Sequence, residues 1–435
     1  MASSLVGKQA VVVGAGIGGL AATGAIAQHF EQVVVVERDA LPAEPVDRPG
    51  IPQGRHVHGL LVSGQRALDA LFPGFEQDIV RAGAVPIISG LDIRWERPGY
   101  DPFPRRDLGL RAYALSRPAL EYALRRRVEG LSNVELRQGC RVLELLATRD
   151  GAAVAGVRCE NSDGSRETLE ADLVIDASGR GALTLALLKS IGRPPPEETT
   201  IGVDFGYATS VFAVPDNAPT DWKGVMTFGG RDPLSSRGAL LYPLEGNRWM
   251  LGLGGRHGEE PPGYIEGFLA FARGLRTPTI YNAIRHARPL GAVVRYGFPE
   301  SVLRHFERLE TFPRGLLPIA DAICRFNPVL RPGHERRRAG GLPAQGIAGK
   351  AARGERSTRR AGARLFCRGA GADRDAVVGG DHGLHASQHA GTTPGRFRHE
   401  AQVRHGPDPA RRGRPGCSQA GCRGPELVEA AQRLS

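Results

Sequence analysis

Apolar and polar positions change rhythm several times along the chain. Residues 9–39, "QAVVVGAGIGGLAATGAIAQHFEQVVVVERD", hold two Val-rich runs of the kind buried on both faces of a sheet, separated by a small-residue stretch. A strand, a helix and a second strand are predicted there. Residues 50–74, "GIPQGRHVHGLLVSGQRALDALFPG", form a loop rich in turn formers that leads into an amphipathic helix. "LGLRAYALSRPALEYALRRRVEG" (108–130) reads as a strand ending near Ser116 and a helix opened by Pro118, whose missing amide is not needed in a first turn. On that helix Arg125, Arg126 and Arg127 are expected to form a solvated face. Residues 134–182 read as a small meander that returns through "ADLVIDASGRG" to the first sheet.

Between 200 and 300 the period shortens to two. "TTIGVDFGYATSVFAV", "WKGVMTFGG" and "RGALLYPLEGNRWMLGLGG" predict an antiparallel sheet, and "GYIEGFLAFARGLRTPTIYNAIRHA" (263–287) adds helical segments broken near Pro278. Past residue 312 the pattern fails. "FPRGLLPIADAICRFNPVL" still alternates apolar and turn residues, but "RPGHERRRAGG" follows where a fold needs its next helix.

Charge sharpens this break. The 435 residues carry a formal net charge of +11, which by itself invites a nucleic-acid reading. Residues 331–435 hold 19 Arg, 1 Lys and 9 acidic residues, so they account for the whole excess, while residues 1–330 balance 37 basic against 37 acidic side chains. Two compositions are joined. The basic part has only two aromatics, Phe366 and Phe397, and no recurring RGG unit, so weak, sequence-independent binding is the most it offers nucleic acid. Its low apolar content reads as disorder.

The six cysteines show no metal-ligand spacing and no disulfide framework, and no metal is expected. Without a signal-like N-terminus or an 18-residue apolar run, a cytoplasmic enzyme is the expectation.

Candidate chemistry begins at the first turn. Gly14, Gly16 and Gly19 form GxGxxG between the predicted strand and helix: a tight turn, an approach for a pyrophosphate, and close helix packing. Phosphate would meet the helix N-terminus. Glu37, ending the second strand, is placed to accept from ribose hydroxyls and disfavours a 2′-phosphate. The glycines alone do not choose between FAD and NAD. Arg55, His56 and His58 could put cationic or hydrogen-bonding groups near a phosphate or a ring, and packing is the commoner use of such histidines. Arg117, just before its helical turn, could reach a phosphate or ribose. Asp176 reads equally well as a ligand contact at the sheet edge or a cap of its own turn.

The set "GAGIGG", "VVVVERD", "PQGRHVHGLL", "LSRPALE", "ADLVIDASGRG" and "LLPIADAICRFNPV", in order over residues 5–329, resembles the flavin-dependent aromatic hydroxylase and squalene-epoxidase-like superfamily of FAD-dependent monooxygenases. The resemblance implies an α/β fold: a Rossmann-like FAD-binding domain with an interleaved antiparallel β-sheet substrate domain. Residues 5–190 would be its first part, 191–300 the mainly antiparallel substrate domain, 301–329 the return to the FAD-binding domain, and 330–435 an Arg/Gly-rich tail of low order.

It further implies that Gly14, Gly16 and Gly19 hold the FAD pyrophosphate and Glu37 the adenosine ribose. Arg55 would approach the flavin-side phosphate, Arg117 the cofactor phosphates, backbone near Val142 the adenine, and Asp321 the ribityl or ribose hydroxyls. Two positions depart from the family: Ser178 stands where an aspartate usually precedes Gly179, and Ala320 where a glycine usually precedes Asp321. NAD(P)H is the implied reductant and an apolar or aromatic small molecule the implied substrate, with Tyr242, Trp249, Tyr281 and Tyr296 as lining candidates or, more commonly, packing residues. No catalytic base is assigned and no oligomeric state is implied.

In the family the late motif runs into a glycine-rich turn and a helix facing the flavin. Codons for a family-like "GQGMSVAA", read one base out of phase, encode "RPGHERRR", residues 331–338. A frameshift near codon 330 is therefore expected, with activity at risk. Two further readings stand behind the monooxygenase: a flavin-dependent reductase of an unsaturated isoprenoid-like substrate, and a nucleic-acid-binding protein acting through the basic tail.

Overall fold

In the computed structural model, residues 5–228, 236–256 and 258–326 are described. The expectations placed on residues 330–435 (low order, a shifted reading frame, nucleic-acid contact) lie outside them.

In chain order the elements are β1 (Gly7–Val13), α1 (Ile17–Ile26), β2 (Phe30–Val36), α2 (Val62–Leu71), α3 (Phe75–Arg81), β3 (Val85–Ile88), β4 (Ile93–Glu96), β5 (Arg111–Ala114), α4 (Arg117–Glu129), β6 (Val134–Arg137), β7 (Arg141–Ala147), β8 (Val154–Glu160), β9 (Arg166–Glu170), β10 (Leu173–Asp176) and α5 (Ala182–Ser190). The chain continues with β11 (Glu198–Ala213), β12 (Gly224–Thr227), β13 (Gly238–Leu244), β14 (Arg248–Arg256), α6 (Ile265–Arg273), α7 (Thr279–Ile284) and β15 (Val294–Arg304), then β16 (Leu316–Pro318) and β17 (Cys324–Arg325).

A parallel sheet in the order β16-β10-β1-β2-β6 forms the nucleotide half. Its central valines serve two cores. Ala10, Val12, Val33 and Val35 pack with Leu20, Phe72, Phe75 and Leu124 from the helices, while Val11, Val13, Val34 and Val36 pack with Val142, Leu145 and Val157 from the β7-β8-β9 meander. Burial on both faces is why these strands read as continuous apolar runs.

The second sheet has seven strands in the order β17-β15-β11-β14-β13-β12-β4. All its pairings are antiparallel except β12 with β4, a strand from early in the chain. One face, through Ala208, Phe212, Leu251 and Leu253, packs on Phe268, Phe271 and Ile280 of α6 and α7. The other carries Thr209 against His56, and Gly252 beside Val57, so it faces the loop that follows β2. Pro278 caps α7, which accounts for the predicted break.

The solvated face expected for the α4 arginines is corrected. Arg125 is 4% exposed, donates to the Pro42 carbonyl and pairs with Glu129 at 3.6 Å. Arg127 is held by Asp78, and only Arg126 points fully outward, paired with Glu129. The loop between β2 and α2 folds back over α4, a tertiary contact that three adjacent arginines in a sequence do not announce. Among the described residues no helix is long and apolar enough to cross a membrane.

Candidate functional site

The carboxyl ends of β16, β10, β1 and β2 lie on one side of the parallel sheet. After β1 the chain threads between its neighbours, with Gly14 N donating to Val36 O at 2.8 Å and Ala177 N to Val13 O at 3.0 Å. Gly14 takes φ +102°, and a Cβ there would lie 2.7 Å from the Ala177 carbonyl oxygen. Gly16 differs, because the nearest atom to an added Cβ is Ile51 Cδ1 at 3.7 Å. A side-chain carbon fits above Gly16 without a clash, and Gly16 caps the N-terminus of α1, where a pyrophosphate would meet the first-turn amides.

Glu37 ends β2 at 5% exposure and accepts from Ala15 N at 2.8 Å and Asp39 N at 3.1 Å. Arg48 lies against it at 3.2 Å, reaches Asp39 and Glu121 at 2.8 Å each, and donates to Ala15 O at 3.2 Å. Burial opposes the charge of Arg48, yet Glu121 and Glu37 overcome it and raise its pKa. Glu37 thus shapes the turn, and a ribose would share a carboxylate already engaged. Sequence reasoning missed Arg48; the only signal was a lone arginine between Pro and Asp residues.

Arg117 opens α4 behind Ser116, whose Oγ accepts from Ala119 N at 3.2 Å. Burial lowers its pKa against the pull of Glu121 and Asp321, and its Nε is buried with no hydrogen-bond partner among the described residues. Asp321 keeps accessible surface, yet the protein around it raises its pKa by desolvation, opposed by Arg117 and Arg325. Ala320 before it takes φ +56°, the conformation that explains the family's usual glycine. The structure brings Gly14, Gly16, Gly19, Glu37, Arg117 and Asp321 to the same sheet edge. Val142, the second residue of β7, lies near them, since Cys140 N donates to Glu37 O at 2.9 Å. Arg55 ends the short 3-10 turn Pro52–Arg55 that packs on α4, and is half exposed with its Nε 3.9 Å from Asp47.

Asp176 resolves into its turn-capping alternative. It is fully buried and accepts from Ser178 N and Oγ at 3.1 and 2.6 Å and from Thr184 N and Oγ1 at 3.1 and 2.6 Å. Ser178, in place of an aspartate, is therefore a donor to the turn.

His56 and His58 are not cations. His56 is buried, with its pKa pushed down to about 4 by burial and by His58 and Arg55, and His58 is likewise lowered to about 4 by burial and Arg117. His56 Nδ1 meets Thr209 Oγ1 at 2.9 Å, and its ring stands edge-on to Tyr207 at 4.7 Å and Tyr296 at 5.9 Å. With Phe205 and Phe298 these tyrosines form an aromatic wall on β11 and β15. Beside it opens a cavity of about 300 Å³ lined by Phe205, Tyr296, Phe298, Glu260 and Arg295. Tyr296 was anticipated and Tyr207 was not, although the alternation of Phe205 and Tyr207 along β11 marks one face. Tyr242 and Trp249 pack instead, the latter stacked on Trp222 at 5.8 Å, and Tyr281 lies against the α6/α7 core.

The β7-β8 pairing also brings ligand atoms of Cys140, Cys159 and Glu167 within 4.8 Å of one another, a proximity invisible to spacing. Burial keeps both thiols protonated, and Arg137 already pairs with Glu167 at 3.0 Å, so the trio is better suited to packing than to a cation.

No protein-family model matches the chain. It is 36% identical over 335 residues to protein Rv3254 of Mycobacterium tuberculosis, a match covering 74% of this chain and 69% of that one. Among solved structures it is similar to the flavin-dependent brominase Bmp2, with TM-score 0.58 and 15% identity over 82% of this chain and 80% of that chain. PqsL, a probable FAD-dependent monooxygenase from Pseudomonas aeruginosa, gives TM-score 0.53 and 16% identity over 88% and 93%. 2-Methyl-3-hydroxypyridine-5-carboxylic acid oxygenase gives TM-score 0.56 and 19% identity over 89% and 93%.

At such identities a structural likeness speaks for the fold. The residues present fit FAD: a glycine turn at a helix N-terminus with room above Gly16, a carboxylate ending β2, and a partly buried arginine whose buried Nε has no partner among the described residues. By its identity to Rv3254 the chain belongs to that protein's family, and it shares its fold with these flavin-dependent proteins.

Proposed function

We propose that the chain binds FAD at this sheet edge and, with NAD(P)H and O2, places one oxygen atom on an apolar or aromatic small molecule by hydroxylation or epoxidation. The observation that carries the reading is Arg117, a partly buried cation whose buried Nε has no partner among the described residues, near Asp321 and at the sheet edge that carries Gly16. Such a group is costly unless a ligand completes it.

In this reading the Gly14–Gly19 turn and Arg117 bind the phosphates, Glu37 the adenosine ribose, backbone near Val142 the adenine, and Asp321 a ribityl or ribose hydroxyl. FAD, when bound, supplies the hydride acceptance and oxygen activation that side chains lack. The chain's own residues then orient substrate and move protons. The wall of Phe205, Tyr207, Tyr296 and Phe298 offers ring faces to an apolar substrate and keeps water from it. In the tautomer whose Nδ1 donates to Thr209 Oγ1, His56 would keep Nε2 as an acceptor, and its lowered pKa would leave the ring neutral at neutral pH.

The test is stepwise. The full chain, purified in excess FAD and freed of unbound cofactor, is expected to keep near-equimolar flavin, and Arg117→Met to lose most of it. Substrate-stimulated NAD(P)H oxidation with incorporation of one atom from 18O2 would follow. Soluble protein without flavin would end the catalytic reading, and a product gaining two hydrogens instead of oxygen would make the chain a reductase.

A further inference from the structure

Residues 99–111 are thirteen consecutive exposed positions outside any helix for their whole length. They are nonetheless held in place. Phe103 N donates to Trp95 O at 3.1 Å, Arg106 N to Gly90 O at 2.9 Å, Leu108 N to Ser89 O at 3.2 Å, and Ser89 N to Leu110 O at 3.0 Å. On this fixed backbone Tyr100, Phe103, Leu108 and Leu110 are 66%, 54%, 51% and 40% exposed. Trp95 lies beside the loop in ring contact with Phe228, itself 39% exposed, at 5.6 Å.

Large apolar side chains on an ordered, solvent-facing loop mark a surface that something covers. The charges say what. Arg97 stands 5.3 Å over the Tyr100 ring, Arg105 and Arg106 follow Phe103, and Arg111 follows Leu110; Arg105 is engaged, its Nε donating to Leu91 O at 2.9 Å and its Nη1 lying 3.6 Å from Asp221. Asp107 is spent on Arg111 through two bonds of 2.8 Å, which leaves Asp101 as the other acid of the segment. Cations interleaved with each apolar residue are unlike the core of a protein interface, which is depleted of charge. They match a bilayer surface, where rings and leucines enter the acyl boundary while guanidiniums meet lipid phosphates.

We propose that residues 97–111 dock on an anionic lipid bilayer, with Phe103, Leu108 and Leu110 in the interface and Arg97 and Arg106 against the phosphates. The docking is separate from flavin binding and holds whether or not the chain turns over.

Trp95 is a built-in reporter. The chain has three tryptophans, and Trp222 and Trp249 are buried at 6% and 4% exposure. The full chain is mixed with phosphatidylcholine/phosphatidylglycerol vesicles in about 0.5 M NaCl, where purely electrostatic attachment is screened. Co-sedimentation is expected, with tryptophan fluorescence quenched by brominated acyl chains and unaffected by unbrominated ones. Phe103→Ser/Leu108→Ser should weaken vesicle binding at least about tenfold, since two large apolar groups no longer leave water. Trp95→Phe should abolish quenching and keep sedimentation.

Three outcomes overturn the proposal: no sedimentation, sedimentation without quenching (attachment through another region), or a concentration-dependent dimer that Phe103→Ser/Leu108→Ser abolishes without any vesicle binding.

Discussion

Gly19 lies so close under Gly14 that a Cβ on Gly19 would stand 1.8 Å from the Gly14 carbonyl oxygen. Backbone is on the receiving side, so nothing can rotate away, and α1 would have to lift from the sheet. Gly19→Ala is expected to cost about 3 kcal/mol and to abolish flavin retention together with it, read by denaturant midpoint and bound-flavin absorbance. Gly16→Ala should leave stability nearly unchanged while weakening flavin binding, because a side-chain carbon fits above it without a clash, where a pyrophosphate would lie. Equal effects of the two variants would mean the turn has no ligand-facing side.

Among the described residues Arg48 is the cation that contacts all three of Glu37, Asp39 and Glu121, while Asp39 also lies 3.9 Å from Arg38. Replacing it by Met removes compensation from three buried or half-buried carboxylates, at a cost of about 3–5 kcal/mol at neutral pH. Mild acid should recover part of the loss, since Glu121 is already raised by burial and would protonate once Arg48 is gone. A loss independent of pH would show that packing, and not charge, explains the role of Arg48.

Ala320 holds φ +56° without a glycine's freedom. Ala320→Gly relieves that strain and gives back part of the gain in unfolded-chain entropy, so a net stabilisation of about 0.5–1 kcal/mol is expected in the thermal or denaturant midpoint. Destabilisation would place the backbone elsewhere.

His56 and His58 stay neutral in the folded chain to about pH 4. Their ordinary value is near 6.5, so between pH 6.5 and 4 the unfolded chain takes up protons that the folded one refuses. Stability therefore falls as pH drops through that window, by on the order of 1–3 kcal/mol per histidine. Comparing denaturant midpoints at pH 7 and 4.5, the drop should be smaller in His56→Gln than in the parent; an identical drop would contradict the buried neutral ring.

The nucleotide half was legible because its signals are local. Two valine runs, three glycines and Glu37 all act within a span that one strand-helix-strand unit encloses, and Pro278 and Pro118 mark their helix boundaries in the same way. What escaped were pairings between distant segments. Arg48 gains its meaning from Glu121 of α4, Arg125 from the carbonyl of Pro42, and His56 from Thr209 of β11. Each joins residues separated by more than 70 positions, and a spacing rule has no access to them. Asp176 could not be decided from sequence because capping and ligand contact call for the same carboxylate; only the hydroxyl of Thr184, eight residues on, separates them.

The place of β16 at the edge of the parallel sheet has a consequence for how this chain is made. Its residues 316–318 pair with Val174–Asp176 of β10, and β10 in turn lies beside β1. During synthesis the nucleotide half must therefore wait, with the β10 edge unpaired, until nearly the whole substrate half has left the ribosome. Contacts of such sequence separation form late and slowly, and an exposed strand edge invites association in the meantime. A nascent chain halted before residue 316 should aggregate or recruit chaperones, whereas one carried through residue 325 can close both sheets.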